Sequence, residues 1–267
     1  MFFPVIRPML AGLALGLSAA CTLPAPGAAP ADGIFDPYET RNRATHARSK
    51  AVDRRVIRPV ALAYADTVPQ PVQEMVVHFA DNLAVPGAVL NQLLQLDLGG
   101  ALHNGVRFGL NSTLGFAGVF DVAAEFGIYE DEADFGQTLA VWGVPEGAYL
   151  ELPILGPATE RDAVGRVVDL LIDPLNTIAR PESLYLKLPK VAAKVGKRGR
   201  YAASVDSLFY DSADSYAQSR LLYLQNRRFD VGVSDRAISS TADGEIDPYS
   251  ELSGAMTDPY EELYGEQ

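Results

Sequence analysis

From Glu39 to Ala65 the chain consists mostly of good helix formers, and Val52, Val56, Val60 and Tyr64 recur every four positions. This spacing predicts a helix, bent near Pro59 where the ring removes a backbone donor. A second helix is predicted from Pro71, with proline at its first position and Val72, Met75, Val76, Phe79 and Leu83 forming one apolar stripe. Pro86 to Leu96 and Leu98 to Leu110 read as two apolar helices parted near Asp97, the second weakened at its start by Gly99 and Gly100. Thr159, Glu160, Arg161 and Asp162 have the look of a capping box, followed by Val164, Val167, Val168 and Leu171 until Asp173-Pro174 stops the helix. A last helix is predicted from Ser204 to Arg228 by its period. No run of alternating strands is found, so the expected fold class is all-α.

Two stretches depart from simple amphipathicity. Residues 134 to 157, DFGQTLAVWGVPEGAYLELPILGP, are too polar and too broken to cross a bilayer, which needs roughly 20 uninterrupted apolar residues. They are also unusually apolar for a surface loop; a helix, a turn at GVPEG and an extended arm are predicted. Residues 106 to 128, VRFGLNSTLGFAGVFDVAAEFGI, are dense in large apolar groups yet interrupted by Arg107, Asn111, Asp121 and Glu125. In water such a segment is core; next to lipid it can lie in the interface with its charges on the other face.

The N-terminus decides which solvent to consider. Arg7, an apolar run from Met9 to Leu17 and then small residues form the three parts of a secretory signal. The sole cysteine, Cys21, closes LSAAC, which resembles a bacterial lipobox with Ser18 where leucine is usual. A lone cysteine in an exported chain has no internal disulfide partner, and lipidation explains it better. Residues 1–20 are therefore read as signal peptide and 21–35, rich in Pro, Ala and Gly, as lipidated cysteine and flexible tether. An outer-membrane location is favoured, because Thr22 is no retention signal of the aspartate type.

Charge narrows the function. Lys and Arg number 22 against 34 Asp and Glu, a net charge of −12 that argues against nucleic acid. The basic residues gather instead between Glu39 and Arg58, a run that can meet anionic headgroups or simply be solvated, and a further basic patch lies from Lys187 to Arg200. Catalytic chemistry is hard to find: His46, His78 and His103 are scattered without metal-ligand spacing, no G-x-S-x-G elbow occurs, and no phosphate loop is present. Asp121 and Glu125 lie one helical turn apart, but with no base nearby they read as a polar helix face. No catalytic residue, metal site or cofactor is expected.

Eight strings occurring in order carry a resemblance: DPYETRNR at 36 to 43, RPVALAY at 58 to 64, HFADNL at 78 to 83, LNSTLGFAGVFDVA at 110 to 123, DFGQTLAVWGV at 134 to 144, YLELPILGP at 149 to 157, RDAVG at 161 to 165 and DPLN at 173 to 176. Residues 36–228 resemble the MlaA/VacJ family of outer-membrane lipoproteins. One departure is ATHARSK after Asn42-Arg43, where the family has aromatic residues and an Asn. The resemblance implies a doughnut-shaped bundle of amphipathic helices in the inner leaflet of the outer membrane, beside a trimeric porin. Phospholipid mislocalised in the outer leaflet would pass through an amphipathic channel to a periplasmic lipid carrier of the MlaC type. Such a path needs sparse polar groups in apolar walls, and Arg107, Asn111, Asp121 and Glu125 are the candidates. Trp142 and Tyr149 are candidates for the membrane boundary, each joining an apolar ring to a polar handle, although core packing suits Trp142 better. The alternative is a structural lipoprotein that tethers envelope layers.

The tail from Asp235 holds nine acidic residues against Arg236 and is expected to be disordered, so 229–267 reads as an acidic tail. DPYSELSG at 247 to 254 nearly repeats as DPYEELYG at 258 to 265, either by accident of composition or as paired docking peptides.

Overall fold

The computed structural model describes residues 34–172 and 183–243. The signal peptide, Cys21, most of the tether, DPLN and the DPY repeat lie outside the described residues. The tether ends earlier than the sequence reading placed it, because the Phe35 carbonyl accepts a hydrogen bond from Tyr149 N at 2.9 Å and Ile34 packs against a core cluster.

The order is α1 (Glu39–Val52), a π turn (Asp53–Ile57), α2 (Arg58–Thr67), α3 (Gln70–Asn82), α4 (Val85–Gln95), α5 (Leu98–Thr113), α6 (Val122–Glu125), α7 (Phe135–Val141), β1 (Tyr149–Leu152), β2 (Gly156–Thr159), α8 (Glu160–Ile172), α9 (Ser183–Arg200), α10 (Ala202–Asp206), a second π turn (Ser207–Asp211) and α11 (Ser215–Asp243). The fold is mostly helical, as expected. Just upstream of Pro59, where the sequence predicts a bend, the structure has a π turn at Asp53–Ile57 in continuous helical winding, and Pro59 itself sits at the start of α2.

The extended arm is one half of an antiparallel hairpin, β1 paired with β2 with Tyr149 opposite Thr159 and Leu152 opposite Gly156. The expected last helix is broken: Ser212 turns extended after the second π turn, and the new helix α11 runs past Arg228 to Asp243. Caps explain two starts. Thr159 Oγ1 accepts from Asp162 N at 3.2 Å and donates to Asp162 Oδ2 at 2.8 Å. Asp134 and Gln137 form a full capping box at α7, and each such cap is worth about 1 kcal/mol.

Helices α2, α3 and α9 pack together, as do α4, α5, α7 and α8, while α11 reaches α7 and β2 and α1 lies along β1. Small residues permit the closest approach: a Cβ on Gly199 of α9 would stand 2.4 Å from the Ala61 carbonyl of α2. Among the described residues no helix is long and apolar enough to cross a membrane.

Candidate functional site

The buried set is polar. Asn42, Asp53, Gln73, Asn82, Asn91, Gln92, Gln95, Asn104, Arg107 and Asn111 are all at most 6% exposed, and half of the buried apolar side chains among the described residues are alanine. The large apolar groups are outside instead, with Leu96, Phe116 and Ile154 all more than 70% exposed. Helix α5 shows the inversion within one element. It buries Asn104, Arg107 and Asn111 and exposes Leu98, Leu102 and Val106.

Burying amides and charges is tolerable only if they are paired, and most of these groups are, although Asn82 Oδ1 and Asn104 Oδ1 find no hydrogen-bond partner among the described residues. Asn104 donates to Gln92 Oε1 at 2.9 Å and to the Asp131 carbonyl at 2.7 Å. Gln92 donates to Asp131 Oδ2 at 2.8 Å, and burial pushes that carboxyl up. Gln95 donates to Thr138 Oγ1, which donates to Asn91 Oδ1, both at 3.0 Å; Asn91 in turn donates to Asp169 at 2.9 Å.

Three of the four residues expected to line a channel meet in the same kind of network. Arg107 donates to Asp121 Oδ2 and to the Ile128 carbonyl, each at 2.7 Å; Asn111 donates to Asp121 Oδ1 at 2.9 Å and accepts from Ala123 N at 2.8 Å. Burial raises the Asp121 pKa, but hydrogen bonds from Arg107 and Asn111 outweigh it and the carboxyl stays below its usual range. The trio pins the loop between α5 and α6 onto α5, while Glu125 is exposed and takes no part. This loop is tightly wound: Phe116, Ala117 and Gly118 all have positive φ, and a Cβ on Gly115 would lie 2.2 Å from the Phe120 carbonyl.

The two boundary candidates are both placed inward. Tyr149 is 1% exposed, packed on Tyr216 and donating to Glu151 Oε2 at 2.6 Å, so it belongs to the interior and not to a membrane boundary. Trp142 packs edge-on against Phe135 and donates its indole N–H to the Leu94 carbonyl at 3.2 Å, the core role that suited it better.

A cavity of about 300 Å³ opens between α1, the hairpin and the start of α11. Its walls are apolar at Val52, Ile57, Ile154, Pro157, Leu208 and Phe209, and polar at His46, Lys50, Asp53, Glu151 and Ser219. None of the four sequence candidates lines it. His46 is 5% exposed, 3.1 Å from Glu151 Oε1 and 3.2 Å from Ser215 Oγ, which also accepts from Lys50 Nζ at 3.3 Å. The order serine, histidine, carboxylate is that of a hydrolase triad, yet Ser215 is not among the cavity's lining residues and a bound ester would not reach it. The buried Ser219 hydroxyl finds no hydrogen-bond partner among the described residues and faces the cavity. Among the described residues no group of three His, Cys, Asp or Glu stands together as a metal site. The cavity residues were missed in sequence because His46 and Glu151, 105 positions apart, converge only through the pairing of α1 with β1; DPYETRNR and YLELPILGP were the only signals.

Beyond the cavity, arginines lock the frame. Arg227 of α11 donates to Asp134, the α7 cap, at 2.7 Å and to Asp162 of α8 at 2.8 Å, and Tyr223 also donates to Asp162. Arg198 bridges Asp53 at 2.8 Å and Asp206 at 2.7 Å, and Arg220 reaches Asp36 at 2.7 Å.

Polar inside, apolar outside and hollowed by an amphipathic cavity, the bundle is of the class that faces lipid on part of its surface. The profile of the MlaA lipoprotein family matches residues 34–230, and the chain belongs to that family. It is 33% identical over 201 residues to the intermembrane phospholipid transport system lipoprotein MlaA of Escherichia coli (strain K12), covering 74% of this chain and 78% of that protein. An uncharacterized protein of Rickettsia prowazekii (strain Madrid E) is 38% identical over 143 residues, 53% of this chain and 57% of the relative, so the match spans little more than half the length of that relative. A solved structure titled as the structural basis for maintenance of bacterial outer membrane lipid asymmetry superposes with a TM-score of 0.64 at 31% identity, covering 73% of this chain and 98% of that one.

Proposed function

We propose that the protein is a lipid-anchored transport protein of the outer membrane that removes phospholipid from the outer leaflet and hands it to a periplasmic carrier of the MlaC type, catalysing no reaction. The observations that carry this reading are the polar interior and apolar exterior of the bundle and the cavity at His46, Lys50 and Glu151: its apolar walls suit acyl chains, and the Lys50 ammonium among hydrogen-bonding groups suits a phosphate head. The names of the Escherichia coli relative and of the superposed structure support it.

In this reading Cys21 is acylated and begins the mature chain, and a trimeric porin is the neighbour in the bilayer. Arg107, Asn111 and Asp121 serve the lipid path by holding the α5–α6 loop in place. Glu125 borders the path from the surface. Mass spectrometry tests the anchor: an intact peptide across Ala20-Cys21 would overturn it.

The decisive experiment is deletion. Cells lacking the protein should expose phospholipid to added phospholipase and become detergent-sensitive. A normal outer leaflet in those cells would sink the transport reading and favour the tethering lipoprotein.

A further inference from the structure

The chain has 5 lysines among its 22 basic residues, and four of them, Lys187, Lys190, Lys194 and Lys197, stand on α9 at spacings of three, four and three. That spacing sets them in one row along the helix. Lys187, Lys194 and Lys197 are exposed, Lys197 also standing 3.4 Å from Asp81 Oδ1, and Lys190 is half-buried. The arginines are used differently: Arg107, Arg198, Arg220 and Arg227 are spent on short, buried bridges to carboxylates. A guanidinium fork suits fixed bidentate geometry, whereas an ammonium on a flexible stem suits a partner that is fluid.

The rest of α9 shows what that partner is. Its packing face is made of small residues: Ala193 is buried, and Gly196 and Gly199 are pressed on Tyr64 and Ala61 of α2. Beside the lysine row Leu188 and Val191 are 57% and 58% exposed. Leu188, Pro189 and Ala192 also form one wall of an apolar groove of about 400 Å³, with Val72, Met75 and Phe79 of α3 on the other. A helix with a packing face, an apolar strip and a lysine row bordering it is built for the interface, where the stems lie along apolar surface and the ammonium groups reach headgroups. An acidic protein would answer the lysines and leave Leu188 and Val191 in water.

We infer that the outer face of α9 binds the anionic headgroups of the leaflet in which the protein sits, a reading that rests on the membrane location proposed above. With a net charge of −12 the molecule as a whole is repelled by an anionic bilayer. The single lysine face therefore sets which side turns toward the lipid, each lysine contributing roughly fivefold to partitioning.

The test uses the full lipidated chain reconstituted in vesicles of phosphatidylcholine alone or with phosphatidylglycerol. Amine acetylation is followed by mass spectrometry. Lys187, Lys194 and Lys197 should label several-fold more slowly with phosphatidylglycerol present, and the protection should vanish in high salt. Equal labelling in the two vesicles overturns the inference. So does protection seen in native outer-membrane fragments but absent from phosphatidylglycerol vesicles, which would assign the row to an acidic protein. The variant carrying Lys187→Gln, Lys190→Gln, Lys194→Gln and Lys197→Gln should copurify with less anionic lipid; unchanged lipid composition counts against the row. Protection together with a normal outer leaflet in deletion cells would leave this inference standing and remove the transport reading.

Discussion

The α5–α6 region and the region around β1 and the first half of α11, before the exposed Phe229, bury the same kinds of polar group but treat their aromatic rings in opposite ways. Around α5, Asn104, Arg107 and Asn111 are inside while Phe116, Phe126 and Tyr129 are 75%, 68% and 67% exposed. Around β1, His46, Glu151 and Asp162 are inside together with Tyr149 and Tyr216, which are 1% and 3% exposed. The second arrangement is what water demands, because ring burial is a large part of any soluble core. The first leaves large rings on the surface at a cost that only an apolar surrounding removes. In the membrane reading proposed above, the first side faces lipid and the second faces water.

The strongest way to break the comparison is at the water side. Arg227→Ala should leave Asp162, 3% exposed, with Arg161 at 3.9 Å as its remaining cation, lowering stability by about 3 kcal/mol in thermal unfolding of the solubilised protein. At the lipid side Asn111→Ala removes a donor to Asp121 and an acceptor from Ala123 N, and a loss of about 1–3 kcal/mol should follow, with faster proteolysis of the α5–α6 loop. If the loop instead stays protected, the trio is not what holds it.

A smaller effect is expected from the exposed pair Arg43–Asp214. The hydrogen bond from Arg43 holds the Asp214 pKa down to about 2. Because the folded value is depressed, the pair's stabilisation is present above the unfolded value of about 4 and fades as pH falls toward 2. Solvent screening keeps it under about 1 kcal/mol. Acid unfolding of Arg43→Gln should therefore differ from the parent near neutrality and converge with it by about pH 2. The smallest effect should come from Phe116→Ser, within about 0.5 kcal/mol in detergent, yet with weaker partition into vesicles. A large loss of stability would place that ring in a protein core and erase the contrast.

Helical periodicity was readable because it depends on the chain alone. The starts near Pro71 and Leu98 and the Thr159 cap fell close to where the spacing put them. The side on which each helix face ends is a property of the solvent. Reading α5 by its apolar stripe therefore located the right face without telling whether Leu98, Leu102 and Val106 point in or out. The DFGQ cap at α7 was legible as a pattern and went unused. The hairpin and the two π turns were not legible: four residues are too few to show alternation, and one extra residue in a helical turn changes no composition. Arg107, Asn111 and Asp121, read in sequence as lining a channel, meet in one buried network, while the cavity lining at His46 and Glu151 required the long-range pairing of α1 with β1.

The π turn at Asp53–Ile57 also has a bearing on phase. In an unbroken α-helix, side chains four apart drift steadily round the axis, because a turn takes 3.6 residues. The wider turn takes up one residue more, which cancels much of that drift, and Val52, Val56 and Val60 are all left on the outside, 39%, 56% and 53% exposed. The turn acts as a vernier between two helices. Forcing that turn into regular α winding with every residue kept would rotate everything downstream, so that Ala61 would no longer face Gly199, whereas deleting one residue within it would leave the downstream phase nearly unchanged.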